Sequence, residues 1–197
     1  PSSSTKNATT GPLKIGVMLA LTGDSANYGK RSLNGAIWAT EKLNQRGGIQ
    51  GRKVELVVED DRSSPKDAVS AFNKLTTIDG IEVVVGDIIS GTTMAVVPLA
   101  QSKHILLFAP GASNPNLRGT TSIASSDNYV FRNWTSDDFD GKAMAGYILK
   151  KGVKDLGQIV QKTDYTIGLA SALTTDFQKG SGKITVRQHI ETSDKDI

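Results

Sequence analysis

The 197-residue sequence predicts an α/β protein built on parallel sheets flanked by helices, and three observations lead there. Short apolar runs alternate with segments of helical period from residue 13 onward. The runs are rich in Val, Ile and Leu with little polar alternation, the composition of strands covered on both faces. The helical segments are roughly 10–18 residues long, enough to return the chain to a parallel neighbour. At about 150 residues per unit, the length holds one such unit and part of another.

Residues 1–12, PSSSTKNATTGP, are polar and low in complexity and read as a flexible leader outside the fold. LKIGVMLAL at 13–21 is the first expected strand, closed by a Thr22-Gly23 turn. A helix follows over about 29–46, with Leu33, Ala36, Ile37, Thr40 and Leu43 at the spacing of an inward stripe and Trp38 partly buried beside it. Gly47-Gly48 supplies its left-handed stop. RKVELVVED at 52–60 is the second strand. Ser64-Pro65-Lys66-Asp67 then combines an N-cap, a first-turn proline and an acid three residues after the cap, and Ala68, Ala71, Phe72, Leu75 and Ile78 form the buried stripe of the second helix. EVVVG at 82–86, a helix over about 90–101 and HILLFA at 104–109 complete the series, so residues 13–118 read as a first α/β lobe.

At 119–128 the apolar pattern gives way to GTTSIASSDN, expected to cross between lobes, with Trp134 just beyond it as core or hinge packing. Residues 129–197 read as a second α/β series: a strand YVFRNW at 129–134, a helix capped by Ser136 and running to about 151, a strand LGQIVQ at 156–161, a helix over 165–179 and a strand KITVRQHI at 183–190. Two or three strands have few partners with which to bury their faces, so this second lobe is expected to be incomplete.

Composition narrows the function. There is no cysteine, which removes thiol catalysis, disulfides and Cys-type zinc sites. His104 and His189 stand far apart with no ligand-like spacing, so neither a metal nor another cofactor is expected. Residues 1–120 carry 13 Lys and Arg against 10 Asp and Glu, and residues 121–197 carry 10 of each, so the net charge of +3 forms no basic stripe for nucleic acid. No apolar run approaches the ~18 residues of a membrane span.

In an open parallel sheet, ligands gather beyond the carboxyl ends of the strands, here the loops 22–28, 60–64, 87–91 and 110–118. Three motifs there invite other chemistry. Gly23-Asp24-Ser25 stands where GDSL-type hydrolases carry a nucleophilic serine, but the Asp-x-x-His and Gly-x-Asn strings that would activate it and hold an oxyanion are absent from the sequence. Gly23 to Lys30 resembles a P-loop, yet has five residues between its glycines where that loop has four, and Arg31 follows the lysine where Ser or Thr would hold Mg²⁺. Asp60, Asp61 and Asp87, with Lys103, resemble the acids of a phosphoacceptor domain at the wrong intervals, and read instead as solvated strand-end acids or helix-dipole partners.

A longer ordered string carries a resemblance. The T-G turn, Tyr28-Gly29, E-x-x-N-x-x-G-G-I-x-G at 41–51, D-D-x-x-x-P at 60–65, V-V-G-D-x-x-S at 84–90, PGASNPNL at 110–117, Phe131-Arg132 and Asp164-Tyr165 with Gly168-Leu169-Ala170 occur in order. Over about 185 residues the sequence closely resembles the leucine/isoleucine/valine-binding solute receptors of ABC transporters, the type I periplasmic binding proteins. The resemblance implies two α/β lobes joined by a hinge, with an amino acid or similar small carboxylate between them. It assigns hydroxyl or N–H contacts with the ligand to Ser90 and Ser113, close backbone approach to Gly111 and Ala112, pocket walls to Tyr28 and Ile89, and a contact from the second lobe to Tyr165, which Thr166 follows where the family usually has glycine. It also implies an extracytoplasmic location, hinge closure and an ABC permease as partner. In that family the chain runs on through the second lobe and returns to the first with further pocket residues, so the sequence is expected to be truncated and to carry one half of the site. A GDSL-like hydrolase using Ser25 and a ligand sensor of the same fold remain the alternatives.

Overall fold

A computed structural model describes residues 11–118, 127–191, 193 and 194; ten residues of the expected leader and most of the expected crossing at 119–128 lie outside them. Seven strands and five helices are described: β1 (Leu13–Leu19), α1 (Ala26–Gln45), β2 (Val54–Asp60), α2 (Pro65–Asn73), β3 (Val83–Val85), α3 (Ser90–Lys103), β4 (Leu106–Ala109), β5 (Val130–Arg132), α4 (Asp137–Lys150), β6 (Asp155–Gln161), α5 (Asp164–Lys179) and β7 (Lys183–Ile190). Strands β2-β1-β3-β4-β5 form one parallel sheet, and β6-β7 form a second parallel pair.

The strand 130–132 is a correction to the sequence reading. It pairs with β4, Phe108 opposite Phe131, and therefore extends the first sheet instead of opening the second. Its anchor is Val130, which is buried in the main core with Met18, Phe72, Leu75, Ile81, Val84, Val96 and Leu107. The second unit begins with α4, which packs on α5 around Ala145, Leu173 and Phe177 over one face of β6-β7.

Local signals explain most boundaries. The Ser64 hydroxyl accepts from the Asp67 N–H, and Pro65 opens α2 without losing a bond. Thr163 caps α5 by accepting from the Thr166 N–H, while the Thr166 hydroxyl donates to the Gln161 carbonyl. Thr166 is thus fixed in the cap of α5.

Helix α1 begins at Ala26, three residues earlier than expected, because the Ser25 carbonyl already accepts from the N–H groups of Tyr28 and Gly29. Gly29 is the buried residue of that first turn, and the helix rests on the end of β1 so closely that a Cβ there would stand 1.9 Å from the Ala20 carbonyl oxygen.

Two apolar stripes are narrower than the spacing predicts. Leu33, Ala36, Thr40 and Leu43 are half-buried, but Ile37 lies about 80° off the centre of their stripe and is exposed, and Trp38 is on the far side at 62% exposure. Ile78 was expected in the α2 stripe and is also exposed. A π turn over Lys74–Ile78 follows α2, and its wider ring swings Ile78 outward while Ile81 takes the core position.

Candidate functional site

The parallel order places the ends of β1, β3 and β4 side by side, so the loops that follow them share one edge. Ser90 begins α3 with its side chain buried, and its hydroxyl oxygen accepts the Asn114 N–H at 3.3 Å. Through that bond the loop after β3 is tied to the loop after β4. Ala112 and Ser113 are buried in the second loop; Ala112 packs with Ala109 and Leu117 beside Met94 and Val97. Gly111 is half-buried, and the Ile88 side chain lies 3.0 Å from where Gly111 would carry a Cβ. Ile89 is half-buried, its carbonyl accepting from the Thr92 and Thr93 hydroxyls at 2.9 and 2.8 Å.

Three residues not singled out by the sequence reading complete the seam. Asn114 is buried, accepts from the Asn116 N–H and donates to the Asp164 carbonyl at 2.6 Å, joining the first sheet's loops to the start of α5. Arg132 of β5 donates to the Asn114 carbonyl at 2.9 Å. The Asp137 N–H, at the start of α4, donates to the Ser113 carbonyl at 3.0 Å, and the Ser113 hydroxyl is bonded to the Asp137 carboxyl. Burial raises the Asp137 pKa; the Ser113 hydroxyl and the Arg132 charge act against that rise, while Asp138 and Asp140 add to it. Gly168 and Gly91 allow the approach. A Cβ on Gly168 would stand 2.7 Å from Asn114 Nδ2, and one on Gly91 2.8 Å from Asp164 Oδ2.

The two tyrosines stand at the margin. Tyr28, in the first turn of α1, is 66% exposed, and Tyr165, in the first turn of α5, is 46% exposed. Ser90, Ile89 and the 111–113 loop are therefore brought together directly, Tyr165 is drawn near by its neighbour Asp164, and Tyr28 is placed at the same strand edge by β1. Elsewhere, an open groove of about 450 Å³ runs beside β5 between Phe131, Trp134 and Phe139, and another of about 470 Å³ lies between α4, α5 and Pro115; neither is lined by Ser90, Ser113 or Tyr28. Of the two expectations for Trp134, core or hinge packing, the core is ruled out: it is 59% exposed on the first groove.

The acids at the strand ends divide. Asp60 is partly exposed. Burial raises its pKa, but the Thr22 hydroxyl and the N–H groups of Arg62, Leu21 and Thr22 outweigh that, holding it below the usual value. Asp61 and Asp87, expected to be solvated, are both fully buried. Burial, the Asp87 charge and a hydrogen bond to Asp87 push the Asp61 carboxyl up to about 8. Burial raises Asp87 as well, against the hydrogen bonds it receives from Thr92, Asp61 and Ile88. No group of three or more His, Asp or Glu able to hold a metal is found among the described residues.

Neither histidine stands beside Ser25. His104 closes α3 at the opposite, amino edge of the sheet, stacked on Tyr129, and His189 is on β7 of the second sheet. No helix among the described residues is long and apolar enough to cross a membrane.

A parallel sheet whose carboxyl-end loops are hydrogen-bonded to the first turns of a second α/β unit defines the class of two-lobed α/β binding proteins. The chain belongs to the periplasmic binding protein family, whose model matches residues 12–197. It is 36% identical over 188 residues to a Leu/Ile/Val-binding protein of Rhizobium johnstonii and 32% identical over 186 residues to the Leu/Ile/Val-binding protein of Escherichia coli, in each case over 94% of this chain and 49% of the relative. Among solved structures it is similar to the branched-chain amino acid substrate-binding protein of Streptococcus pneumoniae in complex with isoleucine (28% identity, TM-score 0.79, 94% of this chain and 51% of that one). It is also similar to a solute-binding protein of R. palustris in complex with benzoate (26% identity, TM-score 0.77, 93% and 49%). The chain spans about half the length of the curated relatives it matches.

Proposed function

We propose that the protein is the ligand-capturing part of an extracytoplasmic solute receptor of an ABC importer, and that it binds an aliphatic amino acid or a similar small carboxylate. The observation that carries this reading is the junction of Ser90, at the N-terminus of α3, with the buried 111–114 loop and the start of α5. A carboxylate calls for donors that are already aimed. The Ser90 oxygen accepts the Asn114 N–H, which leaves its own proton for a carboxylate oxygen, and the N-terminal N–H groups of α3 add both donors and a favourable dipole.

Ser113 supplies a second hydroxyl, whose proton goes to the Asp137 carboxyl and whose oxygen is left to accept from the ligand's ammonium, and its carbonyl and the Asp137 N–H fix the loop that carries it. Gly111 and Ala112 bring backbone close to the ligand's polar head. Ile89 and the exposed faces of Tyr28 and Tyr165 offer apolar and aromatic wall for its side chain. Relatives named for leucine, isoleucine and valine, and one solved with benzoate, support a carboxylate as the shared feature. Closure of the second unit over the ligand then presents a new combined surface to a membrane permease.

The test is calorimetric titration of the protein with L-leucine, L-isoleucine and benzoate. At about 1.5 kcal/mol for each hydrogen bond to a charged group, replacing Ser90 and Ser113 together by Ala is expected to weaken the bound ligand about 100-fold. Circular dichroism reports whether the variant is folded. Equal affinity in a folded double variant removes the site, and no heat with any of the three ligands removes this ligand class.

A further inference from the structure

Beneath the Ser90 loop lies a polar cluster with no part in the site described above. Asp61, at the end of β2, and Asp87, at the end of β3, are both fully buried, and they stand close enough for each carboxyl to act on the protonation of the other. A hydrogen bond between two carboxyl groups requires that one carry a proton. Oδ1 of Asp61 accepts the Ser63 N–H at 2.9 Å, while Oδ2 is buried with no hydrogen-bond partner, which leaves Oδ2 as the oxygen to hold the proton. Asp87 is bound to accept it. Its Oδ1 already receives the Ile88 N–H at 2.5 Å and its Oδ2 the Thr92 hydroxyl at 2.6 Å, leaving lone pairs on both.

Asp87 is also what holds the start of α3. Besides the bonds from Ile88 and Thr92, its N–H donates to the Thr93 hydroxyl and its carbonyl accepts from it, both at 3.2 Å. Thr92 and Thr93 in turn bond the Ile89 carbonyl. The position of Ser90 therefore depends on where Asp87 sits. Among the charged groups on the elements around the pair, Asp60 on β2, Arg62 in the next turn, Lys66 and Asp67 at the start of α2 and Asp164 of α5 beside Gly91 belong to the same strand edge, whereas Lys14 of β1, Glu55 and Glu59 of β2 and Lys103 of α3 stand farther along their elements. Asp60 adds to the negative potential at Asp61.

We propose that Asp61 and Asp87 share one proton beneath the Asp87–Ser90 loop, and that its loss puts two negative charges in a sealed site, displaces Asp87 and loosens the Ser90 anchor. Asp61 is then a positioning residue, acting on the ligand through Asp87, and capture is favoured by acid. The consequence for capture rests on the reading of Ser90 as a ligand anchor; the proton and the loop do not.

The test follows the amide resonances of Ile88, Ile89, Ser90 and Gly91 in the ¹⁵N-labelled protein without ligand, from pH 5.5 to 9.5. All four are expected to move with one midpoint near 8, the value to which Asp61 is pushed. Asp61→Asn keeps a donor toward Asp87 and an acceptor for the Ser63 N–H but cannot titrate, so the shared transition should vanish. Thr92→Val removes a donor that stabilises the charged form of Asp87, so the shared proton moves toward Asp87, the doubly charged pair loses more than the singly charged one, and the midpoint should rise. Amides that stay still across the range, or that titrate alike in Asp61→Asn, overturn the proposal. Should Asp61→Asn fail to fold, an unmoved midpoint in Thr92→Val overturns it instead.

The link to capture is measured separately, with L-leucine at pH 6 and pH 8.5. Affinity in the wild type should fall at least threefold more over that interval than in Asp61→Asn, a comparison that cancels titration of the ligand's own amine. A pH response equal in the two proteins overturns the link. Absence of any leucine binding counts against the proposed ligand class and leaves the amide titration to decide the proton.

Discussion

Replacing Asp61 by Asn should change how the stability of the protein depends on pH, and the sign follows from where the proton sits. The folded pKa of Asp61 is about 8, against 3.8 for an ordinary aspartate. Between those values the folded chain holds a proton that the unfolded chain has released, so stability falls as pH rises. The stabilising contribution is fully present below pH 3.8, is lost progressively toward pH 8 and changes no further above it. One proton corresponds to a slope of about 1.4 kcal/mol per pH unit, or about 2.7 kcal/mol between pH 5.5 and 7.5. For a chain of this size that is roughly 5–11 °C in melting temperature. Asp60, whose pKa is depressed, contributes with the opposite sign, but its loss comes as pH falls through its folded pKa, well below this window. Asp137, raised by burial, is present in both proteins and cancels in the comparison. In Asp61→Asn the steep part of the slope should disappear, leaving the variant more stable than the wild type above pH 8. Thermal melts of both proteins by circular dichroism at pH 5.5, 6.5, 7.5 and 8.5, at matched ionic strength, measure it. Parallel curves for the two proteins would refute the assignment of a proton to Asp61.

Two further outcomes concern the scaffold of the same strand edge. Gly29→Ala sets a Cβ 1.9 Å from the Ala20 carbonyl oxygen, so α1 must lift by more than about 1 Å; a loss on the order of 3 kcal/mol is expected, read as a lower urea midpoint. Asn44 ties the last turn of α1 to the first residue of β2, donating to the Val54 carbonyl at 2.8 Å and accepting its N–H at 2.7 Å. Asn44→Ala should therefore cost about 2 kcal/mol in urea denaturation, two hydrogen bonds at roughly 1 kcal/mol each, and a loss below about 0.5 kcal/mol would show that water replaces both.

What could be read in advance follows how local its cause is. The Ser64 cap, the Pro65 helix start and the Gly47-Gly48 stop are each written in a few adjacent residues, and all appear in the fold. The burial of Asp61 and Asp87 is not local. An acid at the end of a strand has the same sequence signature whether it faces water or a second acid, and only the order β2-β1-β3 brings these two together. The VVVG run before Asp87 is the one hint, since a strand buried on both faces delivers its next residue close to the interior. The placement of β5 is not local either. Three residues, Val130 to Arg132, carry a β preference without naming a neighbour, and the polar stretch before them suggested that the first sheet had ended. That single misplacement also accounts for the seam residues that went unnoticed. Because β5 pairs with β4 in register, Ala109 opposite Arg132, the guanidinium reaches the carbonyls of Ala112 and Asn114, and the chain leaving β5 can bring the Asp137 N–H onto Ser113. With β5 in the second sheet neither contact would form. The loop that carries Ser113 is thus held by the strand and helix that follow the crossing, and the shape of the anchor depends on both units even though its hydroxyls come from the first.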